Sequence, residues 1–121
     1  MKTKMHNGHM VVDKPWGQYI DIHREENVVF KKITVSPGEE ISLQTHNLRD
    51  ECWYINSGNG KIIVGTEVFF IQKGNSFFIR KKTKHQVFNT GKTNLYIYEM
   101  QMGVCDEGDI IRHEDKYGRT T

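Results

Sequence analysis

No segment of this chain sustains a 3.6-residue apolar repeat; from Gly17 onward it breaks into short runs rich in Ile, Val, Phe, Tyr and Thr. The runs are Gln18 to His23, Val28 to Val35, Glu40 to His46, Glu51 to Asn56, Lys61 to Val64, Glu67 to Ile71, Ser76 to Arg80, Lys84 to Asn89 and Asn94 to Met102. Successive side chains on a strand point to opposite faces, so such runs can bury one face and wet the other. Between them lie Ser36-Pro37-Gly38, Ser57-Gly58-Asn59-Gly60, Lys73-Gly74-Asn75 and Asn89-Thr90-Gly91, which supply positive φ or a fixed proline φ where the chain reverses. Gly65-Thr66, between two apolar runs, predicts a tight hairpin with glycine first. Many short strands at regular spacing predict an all-β sandwich or closed barrel. A chain of 121 residues has room for one such core, hence one domain.

The ends differ from the middle. Residues 1–13 are polar and methionine-rich, which predicts an N-terminal arm or first edge strand; residues 14–105 hold the barrel runs. Residues 106–121 are charged and are expected to pack on the barrel, with Asp109-Ile110-Ile111-Arg112 as one short apolar strand. Lys plus Arg number 17 against 15 Asp plus Glu, interspersed, which gives no basic stripe for nucleic acid. No stretch approaches the roughly 20 apolar residues of a membrane span, and the N-terminus lacks the apolar centre of a signal peptide. A soluble, cytoplasmic protein with no nucleic-acid or membrane partner is expected. Cys52 and Cys105 have no C-x-x-C spacing and read as reduced structural thiols.

The chemistry gathers in the middle of the chain. Gln44 and His46 are two apart, so on a strand they share a face. After the loop Asn47-Leu48-Arg49-Asp50 the chain returns with Glu51, Trp53 and Ile55 on one face, which sets a carboxylate opposite that pair; His85 opens a much later strand. Nitrogen and oxygen donors brought together from separate strands suit a borderline or hard divalent ion and leave positions open for substrate oxygens. A single histidine is more often a surface or hydrogen-bonded residue than a ligand, so the case rests on the four together.

Pro37-Gly38-Glu39-Glu40-Ile41-Ser42-Leu43-Gln44-Thr45-His46 followed by Glu51 and Gly58, then Gly74 followed by His85 and Asn89, resembles the two signature motifs of the cupin superfamily. The first motif usually shows His-x-His, and Gln44 holds its first position here. Lys14-Pro15-Trp16-Gly17-Gln18-Tyr19, the strand and turn Lys31 to Glu39, Ser42 to His46 with Arg49, Glu51 and Trp53, and the tail Asp109 to Arg119 are together similar to the type II phosphomannose isomerases. That family's cupin domain occurs in bifunctional mannose-1-phosphate guanylyltransferase/mannose-6-phosphate isomerase enzymes. The resemblance implies a single-domain cupin, a double-stranded β-helix or jelly-roll barrel. It implies that Gln44, His46, Glu51 and His85 bind a divalent metal, zinc first, with cobalt, manganese, iron and nickel as alternatives. The activity implied is metal-dependent interconversion of mannose 6-phosphate and fructose 6-phosphate, or of a related sugar phosphate. Two departures bear on substrate: Arg80-Lys81-Lys82-Thr83-Lys84 stands where the family has Pro-x-Gly, and Asn47-Leu48 replaces a histidine-rich loop. No nucleotidyltransferase sequence precedes the barrel within these 121 residues, so sugar-nucleotide synthesis is not expected of them.

Arg119, in the family-like Tyr117-Gly118-Arg119, is the expected catalytic cation, since a guanidinium offers a rigid fork of donors to a phosphate or an enediolate. Trp53, Lys84 of the basic turn and Arg112 are the expected substrate contacts, and the general base stays open among Lys84, Glu99, His113 and Glu114. A homodimer is expected to cover exposed edges and aromatic faces; Tyr96 and Tyr98 share one face of the last long strand, as core, pocket or dimer surface. Two other classes remain. One is a different metal-dependent cupin enzyme, a nucleotide-sugar isomerase or epimerase or a dioxygenase, for which the altered basic turn would be the sign. The other is a non-catalytic sugar-binding cupin, which would bind ligand without turnover.

Overall fold

The computed structural model describes residues 3–119; residues 1–2 of the expected arm and 120–121 of the expected tail lie outside them. Twelve strands form among the described residues: β1 (Thr3–His6), β2 (His9–Lys14), β3 (Gly17–Glu25), β4 (Val28–Val35), β5 (Leu43–Thr45), β6 (Arg49–Ser57), β7 (Gly60–Val64), β8 (Glu67–Ile71), β9 (Ser76–Ile79), β10 (His85–Asn89), β11 (Leu95–Gly103) and β12 (Ile111–Glu114). They build two antiparallel sheets, ordered β1-β2-β3-β4-β11-β6-β9 and β12-β5-β10-β7-β8, which face each other as a jelly-roll barrel. Among the described residues no helix is long and apolar enough to cross a membrane.

The expected arm or edge strand is the outer hairpin β1–β2, pinned by Val11, which is paired with Ile20 and buried. The Glu40 to His46 run does not form one strand. It runs beside β10 through Gly38 N–H to Asn89 O and Ile41 N–H to Val87 O, with a bridge at Glu40 and Phe88, and becomes regular only at Leu43. Gly65 turns the β7–β8 hairpin at φ 63°, with Val64 opposite Glu67, as its glycine-first position requires. In the tail only Ile111 and Arg112 of the expected apolar stretch join a strand, opposite Thr45 and Gln44, and Ile111 is exposed.

Between the sheets the inner face has two ends. At one end Ile33, Val35, Ile55, Leu95 and Ile97 pack with Ile41, Ile62, Ile71, Ile79 and Val87, and Trp53 borders this cluster. At the other end the same strands continue inward with Lys31, Arg49, Glu51, Glu99 and Gln101, all buried. Ladder register fixes this: Ile97 lies opposite Ile33 and Ile55, Glu99 opposite Lys31 and Trp53, and Gln101 opposite Val29 and Glu51. Gly17 lies opposite Val35 in the larger sheet. Its φ is 149° and a Cβ there would meet Thr34 O at 2.0 Å, so only glycine lets β3 approach β4 closely enough to hold Trp16, whose carbonyl accepts from Ser36 N–H, against the cavity.

Candidate metal centre

The polar end opens into a cavity of about 120 Å3, partly open to solvent, whose lining includes Lys14, Trp16, Lys31, Gln44, His46, Trp53, Glu99, Arg112 and Arg119. At its floor, ligand atoms of His46, Glu51 and His85 all lie within 4.8 Å of one another. Period-two alternation delivers Glu51 from β6, while β5 and β10 pair with Gln44 directly opposite His85. His46 Nε2 stands 3.4 Å from Glu51 Oε2, and His85 Nε2 3.6 Å from Glu51 Oε1. Gln44 Nε2 is turned to the Ser42 carbonyl at 3.3 Å and Ser42 Oγ at 3.4 Å, so the amide oxygen is the ligand atom it offers.

The hydrogen bonds fix both tautomers. His46 Nδ1 meets Asp109 O at 2.6 Å and His85 Nδ1 meets Thr83 O at 2.9 Å. A carbonyl only accepts, so each Nδ1 carries the proton and each Nε2 is unprotonated beside the Glu51 carboxylate, that of His46 accepting from Arg49 and that of His85 bare. Burial, then the Arg49 charge, brings His46 down to about 4; burial likewise lowers His85. Both rings are therefore neutral at pH 7. His85 Nε2 is buried with no hydrogen-bond partner, an arrangement that costs about 1–3 kcal/mol unless something electrophilic meets it. Imidazoles held through Nδ1 with Nε2 unprotonated, beside a carboxylate and an amide oxygen, fit a divalent cation of the zinc type.

Glu51 is itself held from two sides: Arg49 Nε donates to Oε2 at 2.8 Å and Trp53 Nε1 to Oε1 at 2.9 Å. Arg49 also donates from Nη2 to His46 Nε2 at 3.3 Å. Beyond it, Glu99 is fully buried and accepts from Gln101 Nε2 at 2.8 Å; burial and the neighbouring Glu51 push it up to about 7. Lys31 sits opposite, its Nζ 3.9 Å from the centre of the Tyr19 ring and bonded to Glu107 of the tail. Burial opposes its charge, but the carboxylates of Glu107 and Glu99 outweigh that and its pKa rises. Near the mouth Lys14, Arg112 and Arg119 converge closely enough that burial and mutual repulsion lower the pKa values of Lys14 and Arg112. Arg112 Nε is buried and unpaired, whereas Arg119 is clamped by Asp115 through Nε at 2.9 Å and Nη2 at 3.1 Å.

Gln44, His46, Glu51 and His85 thus come together, with Trp53, Arg112 and Arg119 on the lining. Lys84 does not join them. It is exposed, because the strand position before inward-facing His85 points outward, and no residue from Arg80 to Lys84 lines the cavity. Of the four candidates for the general base, only Glu99 faces the cavity; His113 is spent on Thr45 Oγ1 at 3.1 Å and Glu114 is exposed. Sequence reasoning passed over Lys31, although a lysine between Val29 and Ile33 on an otherwise apolar inward face was a readable signal. It also passed over Lys14, Glu107 and Asp109, which act across the gap between barrel and tail and leave no periodic trace.

The family model described as mannose-6-phosphate isomerase C-terminal matches residues 1–115. A mannose-1-phosphate guanylyltransferase of Salmonella montevideo is 42% identical over 115 residues, 94% of this chain and 24% of that protein. Xanthan biosynthesis protein XanB of Xanthomonas campestris pv. campestris strain B100 is 40% identical over 113 residues, 93% of this chain and 24% of that protein. The chain spans about a quarter of the length of these curated relatives. Among solved structures, the capsular polysaccharide assembling protein CapF of Staphylococcus aureus superposes with a TM-score of 0.77 at 17% identity, over 88% of this chain and 33% of that one. At that identity the likeness concerns the fold.

Proposed function

The chain belongs to the mannose-6-phosphate isomerase C-terminal family, with a cupin fold, and from that premise we propose that it is a metal-dependent isomerase interconverting mannose 6-phosphate and fructose 6-phosphate. The observation that carries this reading is the buried His85 Nε2, which has no hydrogen-bond partner and faces Glu51 beside the Nε2 of His46. Gln44, His46, Glu51 and His85 would hold the ion, zinc in the first instance, with cobalt, manganese, iron or nickel as substitutes. When bound it would supply Lewis acidity toward the substrate's carbonyl oxygen and the neighbouring hydroxyl.

The remaining work falls to side chains above that floor. Aldose–ketose exchange removes the proton from the carbon next to the carbonyl and returns it to the former carbonyl carbon, so one group must accept and then donate the same proton. Glu99 suits this: it lines the cavity, one oxygen is engaged by Gln101, and a pKa near 7 allows both protonation states at neutral pH. The Lys31 ammonium beside it offsets negative charge that develops on the substrate oxygens. Lys14 and Arg112 around the mouth would take the phosphate, and Trp16 and Trp53 wall the sugar from water. Arg119 is the cation expected to reach the reacting end. A homodimer covering exposed Phe78, Met100 and Tyr54 on the outer face of the larger sheet belongs to the same proposal, as does a cytoplasmic address.

The test is to supply metal-free protein with mannose 6-phosphate, add Zn, Co, Mn or Fe in turn, and follow fructose 6-phosphate beside a His85→Ala control. Turnover that needs metal and disappears in the control is the expected result. One equivalent of metal bound without turnover would retain the site, reject this substrate, and turn attention to nucleotide sugars or to a binding role.

A further inference from the structure

We infer that Asp109, in the tail, is a positioning residue for the metal centre: it sets the tautomer and the aim of His46 without being a ligand. Three bonds run from this one residue to the loop between β5 and β6. Its backbone carbonyl accepts from His46 Nδ1 at 2.6 Å, its Oδ1 accepts from Asn47 N–H at 3.0 Å, and its Oδ2 accepts from Leu48 N–H at 2.9 Å. The carboxylate therefore grips the two residues after His46 with both oxygens, and the carbonyl meets the ring between them. That leaves His46 Nε2 unprotonated and directed at Glu51.

The turn that presents Asp109 is built for rigidity. Asp109 N–H donates to Asp106 O at 2.9 Å and Gly108 N–H to Asp106 Oδ1 at 2.8 Å, while Arg49 reaches Asp106 O from Nη1 at 3.3 Å. Val104 N–H closes the contact on Leu48 O at 3.0 Å. Arg49, which holds Glu51, and Asp109, which holds His46, are thus tied to the same turn, so docking of the tail orients two ligands that come from the barrel. His85 is held differently, by Thr83 O two residues away in its own segment, and it serves as an internal control. Hydrogen-bond partners of this kind fix ring orientation and tautomer, and their loss costs about 10–100-fold in metal affinity.

The geometry stands in the metal-free chain, and only its consequence for affinity rests on reading His46 as a ligand. The test is long-range 1H–15N spectroscopy of the imidazoles in metal-free wild type, Asp109→Ala and Asp109→Asn, with circular dichroism to check the fold and zinc affinity measured by chelator competition. Wild type should show His46 protonated on Nδ1 alone. In Asp109→Ala the His46 tautomers should mix while His85 stays unchanged, and zinc should bind about 10–100-fold more weakly. Asp109→Asn, which keeps one acceptor oxygen, should fall between, and it decides the question if Asp109→Ala does not fold. A single Nδ1-protonated His46 in the folded variants, or a wild-type His46 protonated on Nε2, overturns the inference. Should wild type take up no zinc, the metal reading fails, and the tautomer ratio still decides the role of Asp109.

Discussion

The two ends of the barrel's inner face are made by the same strands in the same register, yet they are different materials. Ile33, Ile55 and Ile97 meet across three neighbouring strands at one end, while two residues further along the register sets Lys31, Trp53 and Glu99 side by side. The apolar end is fully buried and needs no polar partner. The other end buries charge, which is costly unless each group is paired, and its residues are indeed tied to one another: Arg49 to Glu51, Trp53 to Glu51, Gln101 to Glu99, Lys31 to Glu107. His85 Nε2 and Arg112 Nε escape that pairing. The difference teaches that one end holds the fold together and that the other spends stability on groups left ready for a cation and an anion.

The comparison can be broken first at the metal floor. His85→Ala should weaken zinc binding by more than about 10^3-fold, or about 4 kcal/mol, while barely lowering the melting temperature of the metal-free protein, because it removes an unsatisfied group. A melting temperature that collapses together with zinc binding would make His85 a core residue. The reverse substitution pattern is expected at the other end. Ile97→Ala should cost about 2–5 kcal/mol of stability in denaturant titrations, with zinc affinity of the folded fraction unchanged.

These two ends were not equally legible from the sequence. The strands and the Gly65 turn follow from period-two alternation and turn chemistry, which are local, whereas joining His85 to Gln44, His46 and Glu51 rests on the resemblance to the cupin motifs. Lys84 reads as a substrate contact from the composition of a basic turn, but the structure leaves it exposed beside inward-facing His85, off the cavity lining. The hairpin β1–β2 continues into β3 through a tight turn with Lys14 opposite Gly17, a pairing that methionine-rich composition does not announce. Asp109 was invisible, since its hold on His46 uses a backbone carbonyl 63 residues away.

Acid and alkali sharpen the contrast in metal-free protein. The folded pKa values of His46 and His85 lie below the unfolded 6.5, so the unfolded chain binds more protons. Their contribution to stability is complete above pH 6.5 and lost as pH falls below that value, toward about 4 for His46. Glu99 has the opposite sign. Its folded value near 7 exceeds the unfolded 4.5, so its contribution is present below pH 4.5 and lost as pH rises through 7. Glu99→Gln should therefore gain on wild type between pH 4.5 and 8, by about 3 kcal/mol at the upper limit, as read by melting temperature across the range. A constant difference would show that Glu99 does not titrate there.

The smallest effect is expected at the mouth. Arg112→Ala should raise KM for mannose 6-phosphate about 10-fold, or about 1.4 kcal/mol, with kcat little changed, since it removes binding shared by ground and transition states. An unchanged KM would detach the cation cluster from phosphate recognition.

The most direct test of the account is a zinc titration of metal-free protein followed by X-ray absorption at the zinc edge. The prediction is one ion per chain, ligated by nitrogen and oxygen atoms only, with the scattering signature of two imidazoles that drops to one in His85→Ala. Failure to bind one equivalent, or a zinc environment that His85→Ala leaves unchanged, would contradict the claim that the polar end of this barrel is a metal centre.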